Sequence, residues 1–500
     1  MRRKRRANAL AALNLRAETR ILERETMPKE EIPLTPKAFL DEVRASLRVK
    51  APLDAGFTPA AQFMRMFEAR ANKEGAVPVA LSVERTGGLT TTVKTVCFAD
   101  EAVWGELNKF YVERWVKALL WAYGGFKIYV GGPSYLGDFI KQAYTPNGLR
   151  AFDYDFIARV YERKAEVVVT SYDQVPETKA SSNPDGRHLD GCRLGFDAGG
   201  SDLKVSAVVD GQAVFSEEVV WLPKVNEDPE YHFKHIVDVM KLGASHMPRV
   251  DAVGISSAGV YIDNRTMIAS LFIKVPPEDF DAKVKDIYIR AVAELGADIP
   301  LEVANDGDVT ALAGAMDLDD TGVLGIAMGT SEAGGFVDGQ GNITGWLNEL
   351  AFVPVDYHPE AMVDEWSGDY GCGVKYFSQD AVAKLAPAAG ITLDESMTPA
   401  EKLKHVQSLE TQPGAQDIFR TIGVYLGYGI AYYARLYDVK HVLILGRVTS
   451  GEGGPLILDN ANKVLAEEYP ELAINLHLPD ESNRRVGQSI AAASLPMLRK

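Results

Sequence analysis

Two glycine-rich turns constrain the fold of this chain more than any other feature. The first, at residues 197–201, follows a β-rich run at 193–197 and precedes two more at 204–209 and 213–220. The second, at 329–331, follows a run at 323–328 and precedes a run at 334–337 and one further short strand. Each turn therefore opens a hairpin meander, and the pattern returns after about 130 residues. The repeat predicts two α/β halves, because each half begins in the same way.

The first turn has the composition of a phosphate cradle. Gly199 and Gly200 lack a Cβ atom, so their backbone N–H groups can approach a phosphate closely. Ser201 adds a hydroxyl, and Lys204 follows in the same segment as a candidate phosphate contact. The preceding strand delivers Asp197, which can hold Mg²⁺ through water. Taken alone, the segment fits an ordinary β-hairpin turn equally well.

The second turn makes phosphate binding the favoured interpretation. Gly329, Thr330 and Gly334 would face the β- and γ-phosphates from the opposite half, and Ser331 is a further candidate for nucleotide binding. Neither turn contains the Gly-Lys-Ser/Thr of a P-loop. Neither is a dinucleotide fingerprint, since strands rather than helices follow the glycines. The pair predicts a clamp around the phosphates of ATP.

Between the two turns lies a candidate catalytic acid. Residues 301–310 predict a strand that runs into a helix beginning near Val309. Asn305 and Asp306 stand at the polar end of that strand. A sugar hydroxyl is a poor nucleophile, and a carboxylate within hydrogen-bond reach can orient it and accept its proton. Asp306 is therefore the candidate general base, while a helix N-cap is the structural alternative for the same residue.

With these motifs in order, residues 193–498 resemble the ROK family of sugar kinases. The first turn resembles that family's Asp-x-Gly-Gly-Thr, and Asn305-Asp306 resembles its Asn-Asp motif. Residues 254–259, which include Ser257 and Gly259, resemble its Gly-Ile-Gly-x-Pro-Gly stretch. The resemblance implies a two-lobed actin-like ATPase fold, built from duplicated ribonuclease-H-like halves, with ATP and Mg²⁺ as cofactors. It also implies that Asn305, Ser257 and Gly259 contact a sugar.

The sequence departs from the family at the sugar and zinc segments. Where the family has Gly-Glu-x-Gly-His, this chain keeps Glu349 but has Phe352 at the His position, and a phenyl ring cannot hydrogen-bond to a hydroxyl. Of the family's three zinc-binding cysteines only Cys372 is present, and Val374 replaces a sugar-binding Glu. One cysteine cannot hold zinc, so no structural zinc is expected. The acceptor is expected to differ from plain glucose.

The adenosine segment is altered as well. After the run at 441–445 the family usually has two glycines, and this chain has Gly446 followed by Arg447. Arg447 can stack on an adenine or pair with a phosphate, or it can block the pocket. The sequence leaves these alternatives open.

Composition excludes several other classes of function. The net charge of −16 argues against nucleic-acid binding, which depends on Lys and Arg neutralising phosphates. No apolar run is long enough to span a bilayer. The three cysteines are far apart and predict reduced thiols, so a cytoplasmic location is expected. A homodimer is a further expectation that the sequence leaves open.

The chain divides by pattern into three parts. Residues 1–190 predict an α+β domain of unknown role with a basic helical leader. The polar stretch at its end, 176–190, predicts either a linker or a loop that docks one unit on the next. Residues 191–320 and 321–500 predict the first and second lobes of the kinase-like region. The leading hypothesis is phosphorylation of a sugar or polyol by ATP and Mg²⁺. The alternatives are a sensor or regulator without catalysis, and a phosphotransferase with a non-sugar acceptor.

Overall fold

The computed structural model describes residues 37–179, 185–479 and 481–498. The predicted basic leader lies outside these residues. Within them the strands are β1 (Ala76–Glu84), β2 (Thr90–Phe98), β3 (Lys127–Gly131), β4 (Glu166–Thr170), β5 (Cys192–Ala198), β6 (Asp202–Val209), β7 (Gln212–Val220), β8 (Ala252–Ser257), β9 (Val260–Ile262), β10 (Arg265–Ile268), β11 (Leu301–Asn305), β12 (Val323–Met328), β13 (Glu332–Val337), β14 (His441–Leu445) and β15 (Asn475–His477).

The helices of seven or more residues are α1 (Lys37–Ser46), α2 (Ala60–Glu74), α3 (Glu101–Tyr123), α4 (Ser134–Ala143), α5 (Ala151–Tyr161), α6 (Pro229–Ala244), α7 (Ile287–Ala293), α8 (Asp306–Leu318), α9 (Gln379–Leu385), α10 (Pro399–Ser408), α11 (Pro413–Tyr433), α12 (Gly453–Glu468) and α13 (Glu481–Ala493). Helix α3 shows how local sequence sets the ends. The Asp100 side chain accepts from the Val103 N–H at the start, and Gly124, with φ of 76°, stops the helix.

The first lobe contains a five-stranded sheet in the order β11-β8-β5-β6-β7. Strands β5, β6 and β7 form the predicted antiparallel meander, while β8 and β11 run parallel to β5. The C-terminal helix α13 lies directly on this sheet. Gly195 and Gly254 permit that approach, because a Cβ atom at either position would overlap the backbone of α13 at Ser489 or Ala492.

The second lobe repeats this plan in the order β13-β12-β14-β15. Strands β12 and β13 are antiparallel, and β14 and β15 run parallel to β12. The prediction of a third meander strand after Asp338 is wrong. Ile343 forms only isolated bridges, one to Val337 and one to Asp185 from the first lobe's entry segment. Two sheets with corresponding strand orders give the expected two-lobed actin-like ATPase fold.

The N-terminal α+β part has its own sheet in the order β2-β1-β3-β4, with α3 buried over most of its length. Its hydrophobic core is continuous with that of the second lobe: Phe63 and Phe110 pack against Tyr357, and Phe57 packs against Tyr425. No helix among the described residues is long and apolar enough to cross a membrane.

A buried ion network also joins the N-terminal part to the second lobe. Asp369, in the loop that corresponds to the family's zinc segment, contacts Arg114 at 3.0 Å, Lys117 at 3.1 Å and Arg150 at 2.9 Å. Glu113 pairs with both arginines. These side chains are at most 5% exposed, so the charges compensate one another within the protein rather than through water.

Candidate active site

Asp306 is the first residue of helix α8, three residues earlier than the predicted start near Val309. The N-cap is Asn305, whose Oδ1 accepts from the Gly307 N–H at 2.8 Å. Asn305 Nδ2 donates to the Gly259 carbonyl at 2.8 Å, so this amide ties β11 to the turn after β8. Asn305 takes the cap position, and the partly exposed Asp306 carboxylate also accepts from the Gly307 N–H, at the longer distance of 3.1 Å.

Asp197 lies at the end of β5, next to the first turn. Its Oδ1 accepts from the Ser256 hydroxyl at 2.7 Å, and Lys204 Nζ lies 3.6 Å from its Oδ2. Lys204 is closer to Asp202, at 3.0 Å. Burial raises the pKa of Asp197, and these two partners oppose the rise.

The Asp306 carboxyl group lies within the electrostatic influence of Asp197. Burial, and then the Asp197 charge, raise the pKa of Asp306 to about 6. A carboxylate with that pKa is largely ionised at neutral pH and still accepts a proton readily. The charge on the predicted magnesium ligand therefore affects the protonation of the predicted base.

A cavity of about 170 Å³ lies between the lobes at Asp306. Its walls come from the start of α8, from the second sheet and from α13; the lining residues are Asp306, Gly307, Thr310, Gly325, Ala327, Ala333, Leu445 and Gln488. Gly307 packs against Gly334 and Gly335 of β13 so closely that a Cβ atom on any of the three would overlap a neighbour. These glycines therefore set how close α8 sits to the second lobe.

The first turn is fixed by Trp221, at the end of β7. The Trp221 indole donates to the Gly199 carbonyl at 2.8 Å, and its backbone N–H donates to the Ser201 carbonyl at 3.1 Å. The chain then brings Lys224 over the turn, so that a Cβ atom on Gly200 would lie 3.4 Å from Lys224 Nζ. The exposed Lys224 was absent from the sequence prediction, since it lies 24 residues beyond Gly200 and in no recognised motif.

The second turn leaves Thr330 and Ser331 exposed at the tip of the β12–β13 hairpin. Gly329 is anchored by the Gln379 N–H, which donates to its carbonyl at 2.9 Å. Gly446, with φ of 99°, contacts Met328 so closely that a Cβ atom would overlap its backbone.

Arg447 follows Gly446 and is exposed, and Gln407 Nε2 donates to its carbonyl at 2.9 Å. Within the described part of the chain, no hydrogen bond or ion pair joins the first turn to Thr330, Ser331 or Arg447. The described residues that line the cavity at Asp306 include no residue of either turn.

Glu349 lies near Asp306 and Asp308. Burial and those two charges raise its pKa to about 7. A network that the sequence did not predict holds its loop: Asn348 Nδ2 donates to Asp308 at 2.7 Å, and the Tyr437 hydroxyl donates to Asn348 at 3.0 Å. The Glu349 N–H also donates to a backbone carbonyl of α3 at 3.0 Å. The N-terminal part therefore contributes to the position of this carboxylate.

Two further acids extend the cluster. Burial raises the pKa of Asp308 to about 7 and that of Glu332 to about 8. Glu332 is 3% exposed; its Oε1 accepts from Tyr433 at 3.0 Å and its Oε2 has no partner. Asp308 lies two residues after Asp306 in the sequence, and Glu332 directly follows Ser331. Their proximity in sequence to predicted residues was the one available indication.

Other residues predicted to contact the substrate are engaged with protein groups. The buried Ser257 hydroxyl lies 2.8 Å from the Tyr288 hydroxyl and accepts from Tyr261 at 2.7 Å. Phe352 packs against the N-terminal part, with ring centroids 4.3 Å from Trp121 and 5.6 Å from Phe152. Gly259, with φ of 145°, accepts the Asn305 bond described above.

Comparison with solved structures finds similar folds. A ROK hexokinase from Thermus thermophilus is 17% identical, over 61% of this chain and 97% of that chain, with a TM-score of 0.47. A ROK family glucokinase from Streptomyces griseus, in complex with glucose and AMPPNP, is 23% identical over 61% and 99%, with a TM-score of 0.45. A ROK family transcriptional regulator, a homologue of the E. coli MLC protein, is 17% identical over 61% and 79%, with a TM-score of 0.44.

No protein-family model matches the chain, and the comparison with curated proteins finds no relative. At these identities the similarity concerns the fold alone. The fold assignment itself rests on the strand orders of the two sheets.

Proposed function

We propose that this protein transfers a phosphoryl group from ATP to a hydroxyl of a sugar or polyol, with Asp306 as the general base. The observation that carries the proposal is the position of the Asp306 carboxylate at a cavity between the two lobes, where the charge of Asp197 acts on it. The pKa of Asp306, about 6, suits a group that accepts a proton at neutral pH.

The residues at the first turn fit a magnesium–triphosphate group. Gly200 leaves the backbone open to phosphate oxygens, whereas the Gly199 N–H already donates to the Asp202 carbonyl at 2.9 Å. Lys224 adds a cation above Gly200, and Asp197 supplies a carboxylate. One carboxylate together with substrate phosphates is a common environment for Mg²⁺. When bound, the metal ion would neutralise the charge that develops on the transferred phosphoryl group.

The chain's own groups would then act on the acceptor. Asp306 would take the proton from the attacking hydroxyl, and Glu349 would orient a neighbouring hydroxyl through its carboxylate. Asn305 would hold the backbone at the start of α8, because both ends of its amide are bonded to protein. Exclusion of water by the lobes would limit hydrolysis of ATP.

The experiment is ATP consumption by the full chain on a panel of sugars and polyols. Asp306→Asn should lower kcat by roughly a hundredfold or more, since general-base contributions are of that order. Asp317→Asn, an exposed acid on the same helix, is the matched control and should leave kcat unchanged. Turnover that survives Asp306→Asn would remove this residue from the role of base.

A sensor without catalysis is the second candidate, and the placement of Phe352 favours it. The aromatic contacts with Trp121 and Phe152 link the acceptor loop to the N-terminal part, as a sensor that reports occupancy would require. The similar structures include both sugar kinases and a transcriptional regulator, so they do not choose between the two. Calorimetry separates them: sugar binding without any binding of ATP and Mg²⁺ supports the sensor.

A further inference from the structure

A second, larger cavity of about 420 Å³ lies where the N-terminal part meets both lobes. Its walls come from the β1–β2 turn, the β9–β10 turn, the edge strand β11 and the segment before Glu349. The charged, hydroxyl and aromatic groups that concern the argument are Arg85, Asp185, Asp263, Glu302, Thr344 and Trp346. The size is that of a small-molecule site.

This cavity is separate from the proposed catalytic cavity. Asn305 and Asp308 contribute to its wall, but Asp306 and Glu349 do not line it. Glu302 projects from β11, the outermost strand of the first sheet, on the side of the N-terminal part. A ligand here would therefore contact three parts of the chain without occupying the position of the reacting hydroxyl.

Arg85 is the one basic residue among the described residues that line this cavity. It is 4% exposed; its Nη1 donates to Thr91 at 3.1 Å and to the Tyr123 carbonyl at 3.4 Å, and its Nη2 has no partner. Burial lowers the pKa of Arg85, and no carboxylate forms an ion pair with it in the described chain. A buried guanidinium N–H group without an acceptor destabilises the fold, and an anionic ligand group would supply the missing acceptor.

The opposite wall of the cavity carries acidic side chains without a lysine or arginine partner in the described chain. Burial, and then the charges of Asp185 and Asp263, raise the pKa of Glu302 to about 8. Burial raises the pKa of Asp185 to about 6. Among the residues that the structure describes, no lysine or arginine pairs with these three acids. A ligand cation between them would lower the pKa of Glu302 and of Asp185 and stabilise their ionised forms.

We propose that this cavity binds a small zwitterion of about the size of a hexose phosphate, with its anionic group on Arg85 and its ammonium group at Asp185 and Glu302. The hydroxyl of Thr344, buried and without a partner, lies on the same wall and would bond to the ligand's polar centre. Binding at this junction goes beyond the proposed phosphoryl transfer and does not depend on it.

Three matched probes test the charge requirement on the full chain by calorimetry. Glucosamine 6-phosphate carries both charges, glucose 6-phosphate only the anionic group, and glucosamine only the ammonium group. We expect glucosamine 6-phosphate to bind roughly ten- to a hundredfold more tightly than either of the others, the usual range for a charge-assisted hydrogen bond. Equal affinity for all three, or no binding of the first, overturns the proposal.

Two variants assign the contacts. Arg85→Gln should abolish the advantage of glucosamine 6-phosphate over glucosamine, and Glu302→Gln should abolish its advantage over glucose 6-phosphate. Arg85→Lys keeps the charge and should retain most of the affinity, which separates a binding role from a folding role. Asp306→Asn should leave this binding unchanged; if it removes the affinity, the ligand occupies the catalytic cleft and the assignment to this cavity is wrong.

Proton release gives a readout that a purely structural role would not produce. An ammonium group beside Glu302 favours the ionised carboxylate, so the wild-type protein should release protons on binding at pH 6.5, where the Glu302 carboxyl group and the ligand amine are both protonated before binding. Titrations in buffers of different ionisation enthalpy measure that release. Glu302→Gln should reduce it, and a release that is unchanged in this variant contradicts the placement of the ammonium group.

Discussion

The Ser256 hydroxyl donates a hydrogen bond of 2.7 Å to Asp197, and this bond joins β8 to the end of β5 at the first turn. A donor to a carboxylate stabilises its ionised form, so Ser256→Ala should raise the pKa of Asp197 further. Under the proposed function, affinity for ATP with Mg²⁺ depends on ionised Asp197. The pH at which half the affinity is lost should therefore move upward in the variant.

Calorimetric titrations between pH 5.5 and 8.5 measure that midpoint. Ser245→Ala, which removes an exposed serine hydroxyl at the end of α6, is the control and should match the wild type. An unchanged midpoint in Ser256→Ala would mean that Asp197 is not the group that limits binding.

Lys224 lies beside the first turn, with its Nζ 3.4 Å from the position of a Cβ atom on Gly200. Removing it should weaken binding of ATP with Mg²⁺ by roughly tenfold, in line with one charge-assisted hydrogen bond. The effect of Lys224→Ala should shrink at high salt, since the lysine is exposed and screened. Lys234→Ala, on the exposed face of α6, is the matched control.

Asp369 has three basic neighbours in a site that excludes water. Burial opposes its ionisation, but Arg114 and Lys117 hold its pKa below the usual range. Asp369→Asn would leave those cations buried without their counter-charge and should reduce the free energy of unfolding by about 3–5 kcal/mol. Chemical denaturation measures the loss. Glu360→Gln, an exposed acid nearby in the chain, should cost less than about 0.5 kcal/mol.

Phe352 should stabilise the fold rather than select the acceptor. Phe352→Ala is expected to cost about 2 kcal/mol, below the range for a fully buried phenylalanine, because the ring is partly exposed. The KM for any acceptor should change less than threefold. Trp366→Ala, an aromatic side chain that is 74% exposed, is the stability control. A large rise in KM without loss of stability would return Phe352 to the sugar site.

The sequence predicted the parts of the fold that local patterns control. The alternation in β6 and β7, and the glycines before them, indicate a hairpin whatever the rest of the chain does. The N-cap was not predictable in this way, because Asn and Asp have similar preferences for it and the two stand side by side at 305 and 306. The Gly259 carbonyl settles the choice, since it accepts from the Asn305 amide.

Contacts between distant segments explain what sequence reasoning missed. Phe352 meets Trp121 across more than 200 residues of chain, and nothing local to either residue indicates the pair. Lys224 lies at the first turn because Trp221, three residues earlier, donates a hydrogen bond to the Gly199 carbonyl of that turn. The missing third strand of the second lobe has a similar cause, since Ile343 bridges to Asp185 instead of extending a pairing with β13.

The buried acids at the cleft should make stability depend on pH. Glu332 has the largest raised value among them, about 8 against an ordinary value of 4.5, with burial as the main cause. A carboxyl group whose pKa is higher in the folded state binds more protons when folded. Its contribution to stability is complete below about pH 4.5 and is lost as pH rises through about 8.

Glu332→Gln removes this titration while keeping an oxygen that can accept the Tyr433 bond. The wild type should therefore lose more unfolding free energy between pH 5 and pH 8.5 than the variant does, by about 3 kcal/mol, since each unit of pKa shift corresponds to about 1.4 kcal/mol. Glu395→Gln, at an exposed acid, should follow the wild-type curve. If the unfolding free energies of the wild type and of Glu332→Gln change equally with pH, the Glu332 carboxylate is ionised at neutral pH. Its Oε2, which has no partner in the described structure, would then accept from a group that approaches the cleft from solvent.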